Sequence, residues 1–229
     1  MSHHNHMLPP SATRGLSGLH GEGGNLHHAS AEIPAGEYVT ELRTVFVVPS
    51  IPKDKSKDDV FLYLWPGAAA GGIESVLQPV LAFHATYPKW YLHTYAIYWG
   101  KDKKGHDIPH AQGADYDVEV GDTVIGVIKL KGITEDGYTY RVFFTAQDGR
   151  EYPPESACEH TWPHPPTYVS QYIESWGEPS GDQYPAEEYL KMCDIKLTTN
   201  KGPVNPIAWS PGGPKVKIVN NEVWLPYRT

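Results

Sequence analysis

Punctuation governs this sequence. Its 21 prolines and 22 glycines fall between runs of β-forming residues, and a proline removes a ladder donor while a glycine weakens a helix. Long helices are thereby excluded, and strands of roughly 5–10 residues joined by turns remain. Such runs occupy residues 38–49, 60–65, 90–99, 123–130, 140–146, 168–176 and 189–199, with a weaker pair at 216–219 and 222–225. Pro66-Gly67, Gly121-Asp122, Asp136-Gly137 and Asp148-Gly149 supply the turns, and residues 134–138 pair with 140–146 as a hairpin closed at Asp136-Gly137. The expectation is an all-β, antiparallel sandwich over residues 35–229, behind a His- and Gly-rich tail at 1–34. A single turn at 186–190 is the one helical segment expected.

A chain of 229 residues suits one large β domain, and 40% hydrophobic with 12% aromatic residues is enough for a real core. The net charge of −8 comes without a basic patch, which argues against a nucleic-acid partner, because phosphate binding is dominated by Lys and Arg. No apolar run is long enough to span a membrane. Residues 1–24 contain no apolar h-region, so the chain as written is expected in the cytoplasm, or outside the cell if a native leader has been removed. Cys158 and Cys193 are compatible with one bridge, two free thiols or links between chains.

Metal ligation and cofactors are not expected. His3, His4, His6, His27 and His28 sit in the tail without an accompanying scaffold. His160 and His164 have a spacing that serves one metal from a helix, but Trp162-Pro163 and Pro165-Pro166 forbid a helix there. His106 and His110 flank Pro109 in the same way.

The chain's centre of interest is residues 73–83, a short apolar run with one amide set into it. At the period of a strand, Leu77, Leu81 and Phe83 face one way, while Val76, Gln78, Val80, Ala82 and His84 face the other. A buried amide needs partners for up to four hydrogen bonds, so Gln78 is either satisfied by neighbouring strands or turned towards a ligand.

Several segments, taken in order, resemble the glutamic peptidases, acid peptidases on a concanavalin A-like jelly-roll sandwich. The strand that ends in Val48-Pro49 is similar to the family's opening strand, Leu64-Trp65-Pro66-Gly67 to its Trp-Val-Gly turn, and Val76-Leu77-Gln78 to the Ile-Leu-Gln that carries the catalytic glutamine. Val120-Gly121-Asp122 resembles its Gly-Asp turn, and Gln171-Tyr172-Ile173 the Glu-Trp-Ile strand that carries the catalytic glutamate. In such enzymes the Glu activates a water while the Gln steadies the oxyanion. The resemblance therefore places an amide, Gln171, where the base belongs. It also places Ala69, Ala82 and Leu92 at three further acidic positions. Glu174 lies an odd number of residues from Gln171, so it takes over only if the strand is displaced by an odd step.

The resemblance implies a cleft lined by Trp65, Gln78, Trp90, Tyr91, His93 and Gln171, with Glu174 at its margin. Rings and amides suit sugars, whose hydroxyls need hydrogen bonds, so the leading expectation is a non-catalytic, lectin-like carbohydrate-binding protein. Two alternatives stand beside it. One is an acid endopeptidase acting on peptide through Gln78 and Glu174; the other is a structural protein that self-assembles into a homo-oligomer through its tail and cysteines.

Overall fold

The computed structural model describes residues 25–70 and 75–228. Two antiparallel sheets form the expected sandwich. In the first, the order across the sheet is β14 (Ser210–Pro211), β1 (Asn25–Glu32), β11 (Tyr168–Trp176), β3 (Phe61–Ala69), β4 (Ser75–His84), β5 (Tyr87–Tyr98) and β6 (Ala111–Gln112), with β7 (Tyr116–Val118) also on β5. The second runs β10 (Cys158–Trp162), β9 (Gly137–Ala146), β8 (Thr123–Thr134), β2 (Val39–Val47), β12 (Tyr189–Thr199), β16 (Glu222–Pro226) and β15 (Lys217–Val219), with β13 (Gly202–Val204) on β12.

The sequence expectations hold in outline and shift in detail. A hairpin forms at the Asp136-Gly137 turn, but it pairs β8 with β9 from Thr134↔Gly137 to Val124↔Ala146, so residues 137–138 belong to the same strand as 140–146 instead of pairing with it. No helix forms at 186–190; the described 3-10 turns are Pro154–Ser156 and Gly181–Gln183. The tail drawn at 1–34 is too long, because residues 25–32 form β1 and pair along their whole length with β11. This strand is hard to see in the sequence because its inward residues, Ala29 and Ala31, are small. The remaining tail, 1–24, and residues 73–74 of the central stretch lie outside the described residues. Cys158 and Cys193 are free thiols.

The main core lies between the sheets. Leu62, Leu64, Leu77, Leu81, Phe83 and Leu92 of the first sheet meet Leu42, Phe46, Ile128, Val142 and Phe144 of the second. The outer faces of the two sheets differ. On the second sheet, β2 and β12 alternate buried with half-buried or exposed residues, as expected where one face meets water. In the first sheet β3 and β4 are buried almost without a break. Its outer face carries a second apolar cluster of Tyr63, Trp65, Val76, Val80, Ala82, Tyr91, Tyr95, Ile97 and Tyr172.

Two prolines shape the middle of that sheet. The β3–β4 ladder is continuous from Phe61↔His84 to Leu64↔Leu81 and resumes at Ala68↔Leu77. The gap holds Pro66 and Pro79, which lack the N–H that a ladder needs. Both rings reach into the core above Gly126 of β8, where an added Cβ would come within 2.9 Å of Pro79 and 3.1 Å of Pro66. Because Pro79 confines its predecessor to extended backbone, Gln78 is held in a strand conformation with its side chain on the outer face.

Candidate functional site

The outer face of the first sheet is organised in rows that follow strand register. One row runs Tyr172–Trp65 from β11 to β3, and a second runs Glu174–Tyr63–Ala82–Tyr91 from β11 to β5. A third has Ser170 opposite Gly67 and Gln78 opposite Tyr95. The unbroken register on either side of the prolines sets Gly67 against Gln78, and His93 pairs with Val80, one step from Gln78 along β4. The space over Gly67 is taken by its neighbours: a Cβ there would lie 2.7 Å from the Trp65 ring and 3.1 Å from Ser170 Oγ.

Of the residues expected in the cleft, Trp65, Gln78, Tyr91, His93 and Glu174 share this face. Trp90 and Gln171 do not. Trp90 belongs to the core between the sheets, with its ring 5.4 Å from that of Phe83, and Gln171 Nε2 donates to Thr44 Oγ1 of the opposite sheet at 3.1 Å. Both corrections follow from strand geometry, since Trp90 and Tyr91 are consecutive and cannot share a face. The same parity puts Glu174 on the Gln78 face with no displacement of β11. It also makes Ser170, not Gln171, the β11 residue in the Gln78 row.

Sequence reasoning missed Tyr63, Tyr95, Tyr172, Trp176 and Asp115. The signal for the first three was present, as each alternates with a residue already picked out or with the core. Asp115 carried no signal, because it comes from the short connection between β6 and β7 and reaches the site only through folding.

The polar groups here are closed off from solvent. Gln78 is 0% exposed, and neither Nε2 nor Oε1 has a hydrogen-bond partner. Glu174 is also 0% exposed; Trp65 Nε1 donates to its Oε2 at 3.3 Å and Trp176 Nε1 to its Oε1 at 2.7 Å. His93 Nδ1 bonds to Asp115 Oδ1, and its Nε2 is buried without a partner. Burial pushes the phenols of Tyr63 and Tyr95 above the usual tyrosine range, reinforced by neighbouring tyrosines and by the carboxylates of Glu174 and Asp115. Burial does the same to Tyr91, with Asp115 next in effect, and to Tyr172, with Tyr168 and then Glu174 as further causes. All four therefore stay protonated and able to donate.

The rings are packed on one another more than they are open. Tyr172 stacks on Trp65 at 4.3 Å and on His28 at 4.9 Å, across three strands. The face therefore consists of ring edges, hydroxyls and an amide packed closely together.

A separate cavity of about 500 Å³ lies at the Asp102–Lys104 loop, lined also by Asp136 and His160. Its charged groups have partners. Lys104 faces Asp136 at 3.9 Å, and the two ring nitrogens of His160 face the carbonyls of Pro109 and Thr161. Nothing in it matches the orphaned amide of the outer face.

The sequence matches no family model and no curated protein. Solved structures share its fold, among them two complexes of one peptidase. Scytalido-glutamic peptidase with a peptide-based transition state analog is 12% identical with a TM-score of 0.59, covering 90% of this chain and 98% of that one. The same peptidase with a transition state analog inhibitor is 9% identical, again with a TM-score of 0.59 and the same coverage. The glutamic peptidase-like sandwich fold is thus established for this chain.

Proposed function

We propose that this protein binds carbohydrate, holding an extended sugar chain across the outer face of its first sheet, and that it does not perform acid peptidase chemistry. The observation that carries this reading is the Gln78 amide, fully buried with donor and acceptor both unpartnered. Leaving such a group unpaired costs about 1–3 kcal/mol, a cost that a ligand which donates and accepts at once would remove. Neighbouring sugar hydroxyls do both. The protonated phenols of Tyr63, Tyr91, Tyr95 and Tyr172 add donors around it.

The peptidase reading has one observation in its favour: Gln78 and Glu174 share a face and are both buried. Register works against it. Glu174 stands in the row of Ala82, four residues along β4 from Gln78, which at the rise of a strand is about 13 Å. A general base must come within about 3 Å of the water it activates, and the Gln78 row runs on through Ser170 to Ser30 and Ser210 without reaching a carboxylate.

Titration with neutral oligosaccharides, followed by tryptophan fluorescence and calorimetry, is expected to give dissociation constants in the micromolar to millimolar range, about −8 to −4 kcal/mol. Gln78→Leu is expected to weaken binding about tenfold or more, or roughly 1.4 kcal/mol. Absence of binding up to millimolar ligand refutes the reading. Cleavage of denatured protein at acid pH that disappears in Gln78→Ala establishes the peptidase instead.

A further inference from the structure

The imidazole beside the orphaned amide is arranged for more than contact. His93 is 4% exposed and holds Asp115 through Nδ1. A carboxylate accepts hydrogen bonds, so Nδ1 is the donor of this pair, and in the neutral ring Nε2 is left with a lone pair. That lone pair is buried without a partner. Asp115 continues the β5–β7 register one step beyond Leu92↔Tyr116, at the edge of the sheet. An aspartate in this position fixes the ring and its tautomer and stabilises the imidazolium when it forms.

The amide is within reach of the same point. Gln78 pairs with Tyr95 and Val80 with His93, so Gln78 and His93 are diagonal neighbours on one face, about 7–8 Å apart at the backbone and within reach of long side chains. The His93 and Tyr95 rings touch, with centroids 4.1 Å apart. Gln78 and Tyr95 are thus directly opposed across β4 and β5, and both lie next to the buried His93 ring.

We propose that His93, Gln78 and Tyr95, with Asp115 as positioning residue, form a hydrolytic centre for ester-linked acyl groups carried on the bound carbohydrate. The substrate class rests on the carbohydrate reading above, where carbonyl groups occur as esters of sugar hydroxyls. Water attacks the carbonyl carbon, and as the new C–O bond forms its proton passes to His93 Nε2. The carbonyl oxygen becomes an oxyanion held by the Gln78 amide and the Tyr95 phenol. Collapse breaks the ester C–O bond, and His93 returns the proton to the departing sugar oxygen. The products are a carboxylic acid and a free hydroxyl, and no other reactant is consumed. Neither Glu174 nor any acidic medium is needed, which separates this chemistry from that of an acid peptidase.

The test uses the full chain near neutral pH with O-acetylated xylo-oligosaccharides, their deacetylated counterparts and p-nitrophenyl acetate. Acetate release is expected from the acetylated oligosaccharides. His93→Ala is expected to lower kcat by roughly 10²–10⁴-fold, with part of the loss restored by added imidazole. Asp115→Asn is expected to lower kcat with little change in KM. Thermal unfolding reports whether each variant is folded, and His93→Gln replaces His93→Ala if the latter is not. Binding of both oligosaccharides without acetate release overturns the proposal and leaves the carbohydrate reading in place, as does release that is unchanged in a folded His93 variant. If neither oligosaccharide binds, the carbohydrate reading fails, and p-nitrophenyl acetate decides alone: His93-dependent hydrolysis supports the centre, and its absence overturns it.

Discussion

Glu174 shows how one residue's meaning depends on parity. Its carboxylate is buried at the centre of two indole N–H donations, from Trp65 and Trp176, and these give a buried acid on this face a structural role. Removing the carboxylate orphans both indole donors at about 1–3 kcal/mol each. Glu174→Ala is therefore expected to lower the urea midpoint with m unchanged, and to alter tryptophan fluorescence. A midpoint within error of the wild type would show that the indoles find other acceptors. The same parity explains how legible the site was. Gln78 was readable as an amide on an apolar strand, and Trp65, Tyr91 and His93 lie on its face. Trp90 and Gln171 were misplaced because the family likeness was matched by residue type, one position away from what alternation allows. Asp115 was illegible, because a loop residue joins a site through tertiary contact and leaves no periodic trace.

Elements were legible where their inward residues are large. The strands near 38–49, 123–130 and 189–199 reappear as β2, β8 and β12, each with bulky residues on the core side. β1 was hidden, because Ala29 and Ala31 bury too little apolar area to register as a hydrophobic run. Its contribution is mostly in the ladder, with β11 on one side and β14 on the other. A chain that starts at Ile33 leaves the long edge of β11 unpaired, at a cost of about 0.5–1.5 kcal/mol for each ladder hydrogen bond lost. It also creates an exposed edge of the kind that pairs with other chains. Relative to a chain that starts at Asn25, it is expected to melt at lower temperature and to self-associate, as read by scanning calorimetry and light scattering. Equal melting temperatures and a monomer in both would show that β1 contributes little to the sheet.

For the molecule as a whole, the first sheet is covered on both faces, and tyrosines are the main polar residues of that arrangement. Burial raises the phenols of Tyr63, Tyr91, Tyr95 and Tyr172 on the outer face, and those of Tyr140 and Tyr227 elsewhere. Tyr140 also donates to the Val39 carbonyl at 2.6 Å, a bond that its ionised form cannot make. An unfolded tyrosine ionises near pH 10. Above that value the unfolded chain therefore binds fewer protons than the folded one, and stability falls as pH rises, by up to about 1.4 kcal/mol per pH unit for each such phenol. Below about pH 10 both states keep these protons, and the six phenols give stability no pH dependence. The expected outcome is a cooperative alkaline transition above about pH 10, in which tyrosinate absorbance appears together with the loss of near-ultraviolet circular dichroism. Smooth ionisation of nearly all tyrosines with the dichroism intact would show that the outer face opens to solvent without unfolding, and that the tyrosine floor is a loose cover rather than part of the fold.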